Sequence, residues 1–297
     1  MKINFNDEVS GALHFERPVV ALESTVVAHG LPSPQNVETA RQLEKIVRKG
    51  GAVPATIAIF KGVPHVGLTD DQIIRLAGPE IRKVSRRDLA IMAARKLDGA
   101  TTVAATAFLA HAAGIRVFAT GGIGGVHRGG GGDVSADLPE LARTPMIVVC
   151  SGAKIVLDLP ATREWLETYG ITVLGWQCDE MPAFYSRSSG LAVDERVDSA
   201  KEVGAVASAR GEMGLNNAIL VTVPVPEKFA MSGSEVEKIL AEALRSANEK
   251  RVGGKELTPF LLSAMAERSG GRTLAANIAL LENNARVGAL IAAALNA

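Results

Sequence analysis

Apolar and polar positions change their period several times along the chain, and each change predicts an element. The run Arg17-Pro-Val-Val-Ala-Leu-Glu23 predicts a short buried strand. After the loop Ser24 to Gln35, a helix is expected from Asn36, a good N-capping residue with Glu38 in the first turn, to Gly50-Gly51. Val53 to Phe60 and Val63 to Gly67 predict a hairpin around Lys61-Gly62, and Thr69 with Asp70 and Asp71 behind it predicts a capped helix. Arg86 to Leu97 and Val103 to Ala113 predict helices, and Arg116 to Ala119 and Met146 to Cys150 predict strands. Thr162 to Tyr169 predicts a helix ahead of the strand Thr172 to Trp176. Ala218 to Val225 follows as a strongly β run, Ser232 to Lys250 as an amphipathic helix, and the chain from Thr258 as a mostly helical tail. Such alternation predicts an α/β protein with a largely parallel or mixed sheet.

Composition narrows this picture without changing it. The chain has 297 residues, 47% hydrophobic and 22% charged, ample for a substantial core in one large domain or two smaller ones. Val225-Pro-Glu-Lys228 reads as a loop without a domain boundary, and no repeat or low-complexity linker interrupts the chain, so a single domain over 1–297 is expected. With 4% aromatic residues, the core must rest on Val, Ile, Leu and Ala. The cysteines Cys150 and Cys178 are expected as reduced thiols, which suits a cytoplasmic setting. Lys plus Arg equals Asp plus Glu at 32 each, which gives no reason to expect a nucleic-acid or anionic-membrane partner. Any anion recognition must be local. Asn4, Asn6, Asp7 and Glu8 stand where a signal peptide needs its apolar core. The longest apolar stretch, Ala100 to Ile115, is rich in Ala and Thr and contains His111, so no membrane span is expected.

Candidate chemistry concentrates in Ala119-Thr-Gly-Gly-Ile-Gly-Gly-Val-His127-Arg-Gly-Gly-Gly-Gly-Asp133-Val-Ser-Ala-Asp137. Glycines 121, 122, 124 and 125 can present backbone N–H groups to a phosphate, and His127 and Arg128 favour that reading. The spacing matches neither a Walker loop nor a dinucleotide fingerprint, and an ordinary glycine-rich turn is the alternative. Asp133 and Asp137, with Ser135 between them, offer only oxygen ligands and so suit a hard cation such as Mg²⁺ or Mn²⁺. Asp137-Leu-Pro139-Glu140 equally fits an N-cap with an early proline, and Asp133 a solvated turn.

Lys154 follows an apparent buried strand and Gly152, at the strand end where α/β sheets place ligands. To attack a sugar carbon its amine must be uncharged; the structural alternative is a pair with Asp158. Glu23 ends an apolar strand, so its carboxyl is expected partly buried and suited to general acid work, or else to a structural pair. Lys83, within Arg82-Lys-Val-Ser-Arg-Arg87, can reach a phosphate or belong to a solvated surface, and His29 can contact a ligand from its loop. Asn277 and the later pair Asn283-Asn284 sit in an Ala/Leu-rich helix. A nucleobase edge would match their amides, and a helix-surface position is the alternative.

Taken together, Ala21-Leu-Glu-Ser-Thr-Val-Val-Ala-His-Gly-Leu-Pro-Ser-Pro-Gln-Asn36, the Thr-Gly-Gly-Ile-Gly-Gly-Val-His-Arg loop, Asp133-Val-Ser-Ala-Asp137, Ser-Gly-Ala-Lys154, Pro182-Ala-Phe-Tyr-Ser-Arg-Ser-Ser-Gly190 and Thr258-Pro-Phe-Leu-Leu262 resemble the pseudouridine-5′-phosphate glycosidase family. The resemblance runs from about Val19 to Ala285. It implies an α/β/α layered architecture and reversible cleavage of the carbon–carbon bond between uracil and ribose 5-phosphate, in pseudouridine and nucleotide catabolism. It also implies dependence on manganese, one Mn²⁺ per subunit, and a homotrimer in the cytoplasm. A carbon leaving group explains the lysine, because two carboxylates alone serve only a heteroatom leaving group. By this resemblance Lys154 bonds to the anomeric carbon as the sugar ring opens and becomes an imine, Glu23 is the proton donor, and Asp133 binds the metal. Lys83, Val103, Ser135, Ala136 and Asp137 would contact substrate, with Thr120 and His127 near the phosphate and Asn277 at the base.

One difference from the family pattern is the stretch between Arg128 and Asp133, four glycines where a longer loop with acidic and larger residues is common. Two other functions fit the same residues. One is a lysine-imine aldolase acting on another sugar phosphate, separated by its indifference to uracil. The other is a non-catalytic sugar-phosphate or nucleotide sensor, whose binding would survive Lys154→Ala without a covalent adduct. The presence of Glu23, Lys154 and Asp133 together argues against the sensor.

Overall fold

A computed structural model describes residues 1–129, 132–254 and 257–296. Gly130 and Gly131, the middle of the four-glycine stretch, lie outside the described residues. The framework is an eleven-stranded mixed sheet. Across it run, in spatial order, Asn4–Phe5, Val63–Val66, Val53–Phe60, Val19–Leu22, Val117–Ala119, Ile147–Cys150, Ile219–Thr222, Thr172–Trp176 and Glu195–Val197. The six strands from Val19–Leu22 to Glu195–Val197 are parallel to their neighbours. Val53–Phe60 is parallel to Val19–Leu22 but antiparallel to Val63–Val66, as the Lys61-Gly62 hairpin requires. Gly99–Thr101 adds antiparallel to Val53–Phe60 and carries Arg82–Val84 parallel to itself.

Every residue of Val19–Leu22, Ile147–Cys150 and Ile219–Thr222 is buried. A strand buried at successive positions must be covered on both faces, so helices lie above and below the sheet. The long helix Arg272–Ala294 packs on Val19–Leu22, Val117–Ala119 and Ile147–Cys150 and against the helices Gln35–Lys49 and Ala200–Glu212. Val103–Ala112 packs against Val19–Leu22 and Val53–Phe60 and against the short helix Asp137–Leu141. Ala104, Ala105, Ala107 and Ala110 of that helix are buried, and their small side chains permit the close approach. The large core cluster is aliphatic, with Val, Ile, Leu and Ala filling the space between sheet and helices.

Local signals explain several boundaries. Thr69 and Gln72 form a reciprocal capping box that starts Asp70–Leu76. Asn36 does not cap its helix. The helix begins at Gln35, and the buried Asn36 side chain donates to the Val27 carbonyl at 2.9 Å and accepts from Val37 N. Leu159–Thr168 starts three residues before the expected Thr162, because Asp158 accepts from Ala161 N at 3.0 Å and Pro160 tolerates the first turn.

The chain order reverses direction across the sheet between Val19–Leu22 and Val117–Ala119. From Val19–Leu22 the chain first builds outward on one side, and from Val117–Ala119 it builds outward on the other. Open α/β sheets bind ligands outside the carboxyl ends of the strands at such a switch.

Candidate active site

Glu23 follows Val19–Leu22, Thr120 follows Val117–Ala119, and Ser151 to Lys154 follow Ile147–Cys150, so three adjacent parallel strands deliver them to one end of the sheet. There Glu23 and Lys154 line a cavity of about 320 Å³, while Thr120 and Ser151 lie outside its lining. Glu23 is buried, and its two carboxyl oxygens accept hydrogen bonds from Thr25 Oγ1 and Thr120 Oγ1. Both hydroxyls fix the orientation of the carboxyl group. Lys154 N donates to Ile123 O at 3.1 Å and Leu157 N donates to Lys154 O at 3.0 Å, which seats the lysine on a short turn. Its expected partner Asp158 caps the next helix, and among the described residues Lys154 forms no ion pair. The amine is therefore left to the cavity.

The rest of the lining mixes charges, with Lys83, Arg87 and His127 beside Asp88, Asp133 and Asp137. Lys83 comes from Arg82–Val84, and Val103 opens the ten-residue helix Val103–Ala112, whose N-terminal end carries partial positive charge and is capped by Thr102 and Asp137. Ser135 and Ala136 also line the cavity. The Arg86 guanidinium donates to both Glu140 oxygens at 2.8 Å, and the fully buried Glu140 also accepts from Arg143 and Thr144. This network holds the Lys83-bearing segment against the Asp137 helix. Asn277 and Leu281 of the long helix, Leu262 and Pro259 give the cavity a mainly apolar wall with one amide. Such a lining offers Lys83 and Arg87 to an anionic group and Asn277 to a polar edge of an otherwise flat, apolar ligand.

Residues 8–294 match the family described as Indigoidine synthase A like protein. The pseudouridine-5′-phosphate glycosidase of Symbiobacterium thermophilum is 54% identical over 99% of this chain and 98% of its own length. That of Caldanaerobacter subterraneus is 51% identical over 99% of this chain and 97% of its own length. The chain belongs to the pseudouridine-5′-phosphate glycosidase family. Its backbone superimposes on an indigoidine synthase A-like protein from Thermotoga maritima with a TM-score of 0.92, at 39% identity over 99% of this chain and 97% of that one. The prealnumycin C-glycosynthase AlnA, solved in complex with ribulose 5-phosphate, gives a TM-score of 0.91 at 41% identity, again over 99% and 97%.

Within this family frame, several side chains do other work than their sequence context suggests. The glycines at 121, 122, 124 and 125 are not left-handed; they are small because neighbours crowd them. A Cβ on Gly124 would lie 2.1 Å from Ser135 Oγ, and one on Gly122 would lie 2.7 Å from the Phe184 ring. Ile123 N donates to Gly152 O and Gly124 N to Asp137, so part of the expected anion-binding backbone is spent internally. Arg128 is also spent: its guanidinium donates to Leu157 O, Ile155 O and Glu237. Asp137 caps no turn of its own helix. Instead Oδ1 accepts from Ala104 N at 2.9 Å and Oδ2 from Gly124 N at 2.8 Å, which ties the N-terminal end of Val103–Ala112 to the glycine loop. Asn284 is fully buried and bonded to backbone, and Asn283 donates to Pro224 O, so of the three helix asparagines it is Asn277 that meets the cavity.

Thr25 and Phe184 are further site residues that the sequence did not single out. Phe184 adopts φ 58°, rare for a bulky residue, and its N–H donates to Ser151 O at 3.1 Å beneath the Lys154 turn. Among the described residues, no three His, Cys, Asp or Glu side chains gather as a closed metal cage. Asp133 is 71% exposed and lies 3.9 Å from His127 Nδ1. One open carboxylate suits a hard divalent ion that keeps water and substrate oxygens in its shell, and does not suit a structural zinc site.

Proposed function

We propose that the chain catalyses the reversible cleavage of pseudouridine 5′-phosphate to uracil and ribose 5-phosphate. The observation that carries this reading is one cavity lined by a carboxyl held by two hydroxyls, by a lysine that forms no ion pair among the described residues, and by Lys83, His127 and Asn277. The names of the relatives support it, as does ribulose 5-phosphate in a structural relative, an open-chain pentose phosphate of the same class as a ring-opened sugar adduct.

In the proposed mechanism Lys83, Val103, Ser135, Ala136 and Asp137 hold the phosphorylated sugar, with His127 near the phosphate and Asn277 at the base edge; Thr120, expected at the phosphate, is buried with its hydroxyl on Glu23 and serves there instead. The neutral Lys154 amine bonds to the anomeric carbon. The ring oxygen leaves that carbon with the electron pair of the broken bond and takes up the proton that the lysine nitrogen sheds, which frees the nitrogen lone pair. Glu23, oriented by Thr25 and Thr120, delivers a proton to the uracil carbon that bears the sugar. The carbon–carbon bond then breaks, its electron pair returns to the uracil ring, and the lysine nitrogen lone pair forms the C=N bond of an imine. Water hydrolyses the imine to ribose 5-phosphate and free Lys154. Such covalent catalysis divides one difficult step into two accessible ones.

Asp133 would hold one Mn²⁺ per subunit, an ion that supplies positive charge to substrate oxygens when bound. A homotrimer working in the cytoplasm completes the proposal; among the described residues no helix is long and apolar enough to cross a membrane. The test is chromatographic measurement of uracil released from pseudouridine 5′-phosphate. Lys154→Ala is expected to abolish release while substrate binding stays within about an order of magnitude. Chelation is expected to suppress release and Mn²⁺ to restore it. Unchanged turnover in Lys154→Ala would overturn the mechanism, and full activity in metal-free protein would remove Asp133 as a ligand.

A further inference from the structure

The long helix Arg272–Ala294 touches the site at two levels. Asn277, Leu281, Asn284 and Gly288 recur at helical spacing and share one face. Asn277 and Leu281 line the cavity, whereas a Cβ on Gly288 would lie 3.1 Å from Ala119 Cβ, which marks where the helix presses on the sheet. Asn284 lies between them, fully buried. Its Nδ2 donates to Thr120 O at 2.8 Å and to Gly121 O at 3.3 Å, and it lies 3.1 Å from Ser151 Oγ, which in turn donates to Asn284 Oδ1 at 3.3 Å. Thr120 is the residue whose hydroxyl holds Glu23, and Ser151 begins the turn that ends at Lys154. One side-chain amide therefore spans the backbone supports of the proton donor and the nucleophile.

We infer that Asn284 is a positioning residue that fixes the spacing of Glu23 and Lys154 and registers both against Asn277, two helical turns away on the same rigid helix. This rests on the roles proposed above for Glu23 and Lys154. The Thr120–Gly121 and Ser151–Gly152 turns are joined to each other by backbone bonds, Ser151 N to Gly121 O at 2.9 Å and Ile123 N to Gly152 O at 3.1 Å. The Asn284 amide adds the side-chain anchor that ties this pair of turns to the long helix bearing Asn277, where proton transfer and carbon attack must be coordinated and a misplacement of about 1 Å can cost about a hundredfold in rate. Asn284 touches neither substrate nor reacting atoms, so its effect belongs in kcat and not in KM.

The experiment compares wild type with Asn284→Ala, Asn284→Asp, Ser151→Ala and Asn283→Ala. It measures kcat and KM for pseudouridine 5′-phosphate, the unfolding midpoint, and the rate at which borohydride traps ribose 5-phosphate on Lys154. Folded Asn284→Ala is expected to lose roughly a hundredfold in kcat and in trapping rate with KM within about threefold. Asn284→Asp keeps the shape but has no donor, and is expected to be as slow. Asn283→Ala loses a comparable side-chain bond to Pro224 O that reaches neither catalytic turn, and is expected to keep wild-type kcat. Should the Asn284 variants fail to fold, Ser151→Ala carries the test, with an expected loss of about tenfold in kcat at near-constant KM. Wild-type kcat in a folded Asn284 variant or in Ser151→Ala, or losses matched by Asn283→Ala, would overturn the inference alone. Absence of a trapped adduct in wild type would instead overturn the role of Lys154, and the inference with it.

Discussion

Asp137→Asn is an isosteric change whose consequences follow from two hydrogen bonds. The buried carboxylate accepts from Ala104 N at 2.9 Å and from Gly124 N at 2.8 Å, one N–H per oxygen. An asparagine amide can accept only one of them. Its NH₂ group then faces the other N–H, so a charge-assisted bond is lost and a buried donor goes unpaired, together costing roughly 2–4 kcal/mol. At about 2 °C per kcal/mol for a chain of this size, the unfolding midpoint should fall by roughly 4–8 °C. The function should fall too, because Asp137 joins the start of Val103–Ala112 to the glycine loop, and Ser135 and Ala136 precede it in the cavity lining. The proposed phosphate contacts, loosened by about 1.4 kcal/mol, would bind ribose 5-phosphate about tenfold more weakly. Calorimetric unfolding and titration with ribose 5-phosphate, each on both proteins, measure the two effects. A variant with wild-type midpoint and affinity would refute the assignment of Asp137 as the tie between helix and loop.

Two further perturbations test buried groups of the framework. Burial, the leading cause, raises the Glu44 pKa above the usual carboxylate value, against hydrogen bonds from Thr56 and Arg48 that lower it. A carboxyl with a raised folded pKa contributes stability below its unfolded pKa and loses that contribution as pH rises through the folded value. Glu44→Gln should therefore raise the unfolding midpoint at about pH 8, with the gain shrinking toward about pH 4; a gain that grows on acidification would contradict the sign. Burial also pushes the Cys150 thiol up to about 12 and Cys178 up to about 11. A maleimide at neutral pH should leave Cys150 unlabelled until the protein is unfolded, although Lys154 is four residues away. Rapid native labelling at Cys150, read by peptide mapping, would show that the strand beneath the lysine turn opens.

Much of the framework was legible because its signals are local. The capping box of Thr69, the Lys61-Gly62 hairpin and the buried run before Glu23 each need only neighbouring residues. The strands Arg82–Val84 and Gly99–Thr101 were not legible, since Arg-Lys-Val and Gly-Ala-Thr lack the apolar run that marked the equally short Val117–Ala119. The helix Ala200–Glu212 was missed for a related reason: Val203 is its one buried residue, so the sequence shows no strong apolar face.

At the site, Glu23 and Lys154 could be placed because strand ends are visible in the apolar pattern. Their neighbours could not. Asp137 meets Ala104, 33 residues away, Asn284 meets Thr120, 164 residues away, and Arg128 meets Glu237, 109 residues away. Each was read as a local cap, a base contact or an anion ligand because local sequence cannot reveal a distant N–H, carbonyl or carboxylate as the competing partner. Gly122 and Gly124 present the same limit, since the crowding that excludes a side chain comes from Phe184 and Ser135.

The central claim is that Lys154 carries the sugar. Its most direct test is mass spectrometry and peptide mapping of the protein treated with ribose 5-phosphate and borohydride, with and without uracil. The account predicts one reduced pentose-phosphate adduct, on the peptide containing Lys154, absent from Lys154→Ala. Demonstrated binding of ribose 5-phosphate with no adduct, or an adduct on another lysine, would contradict it.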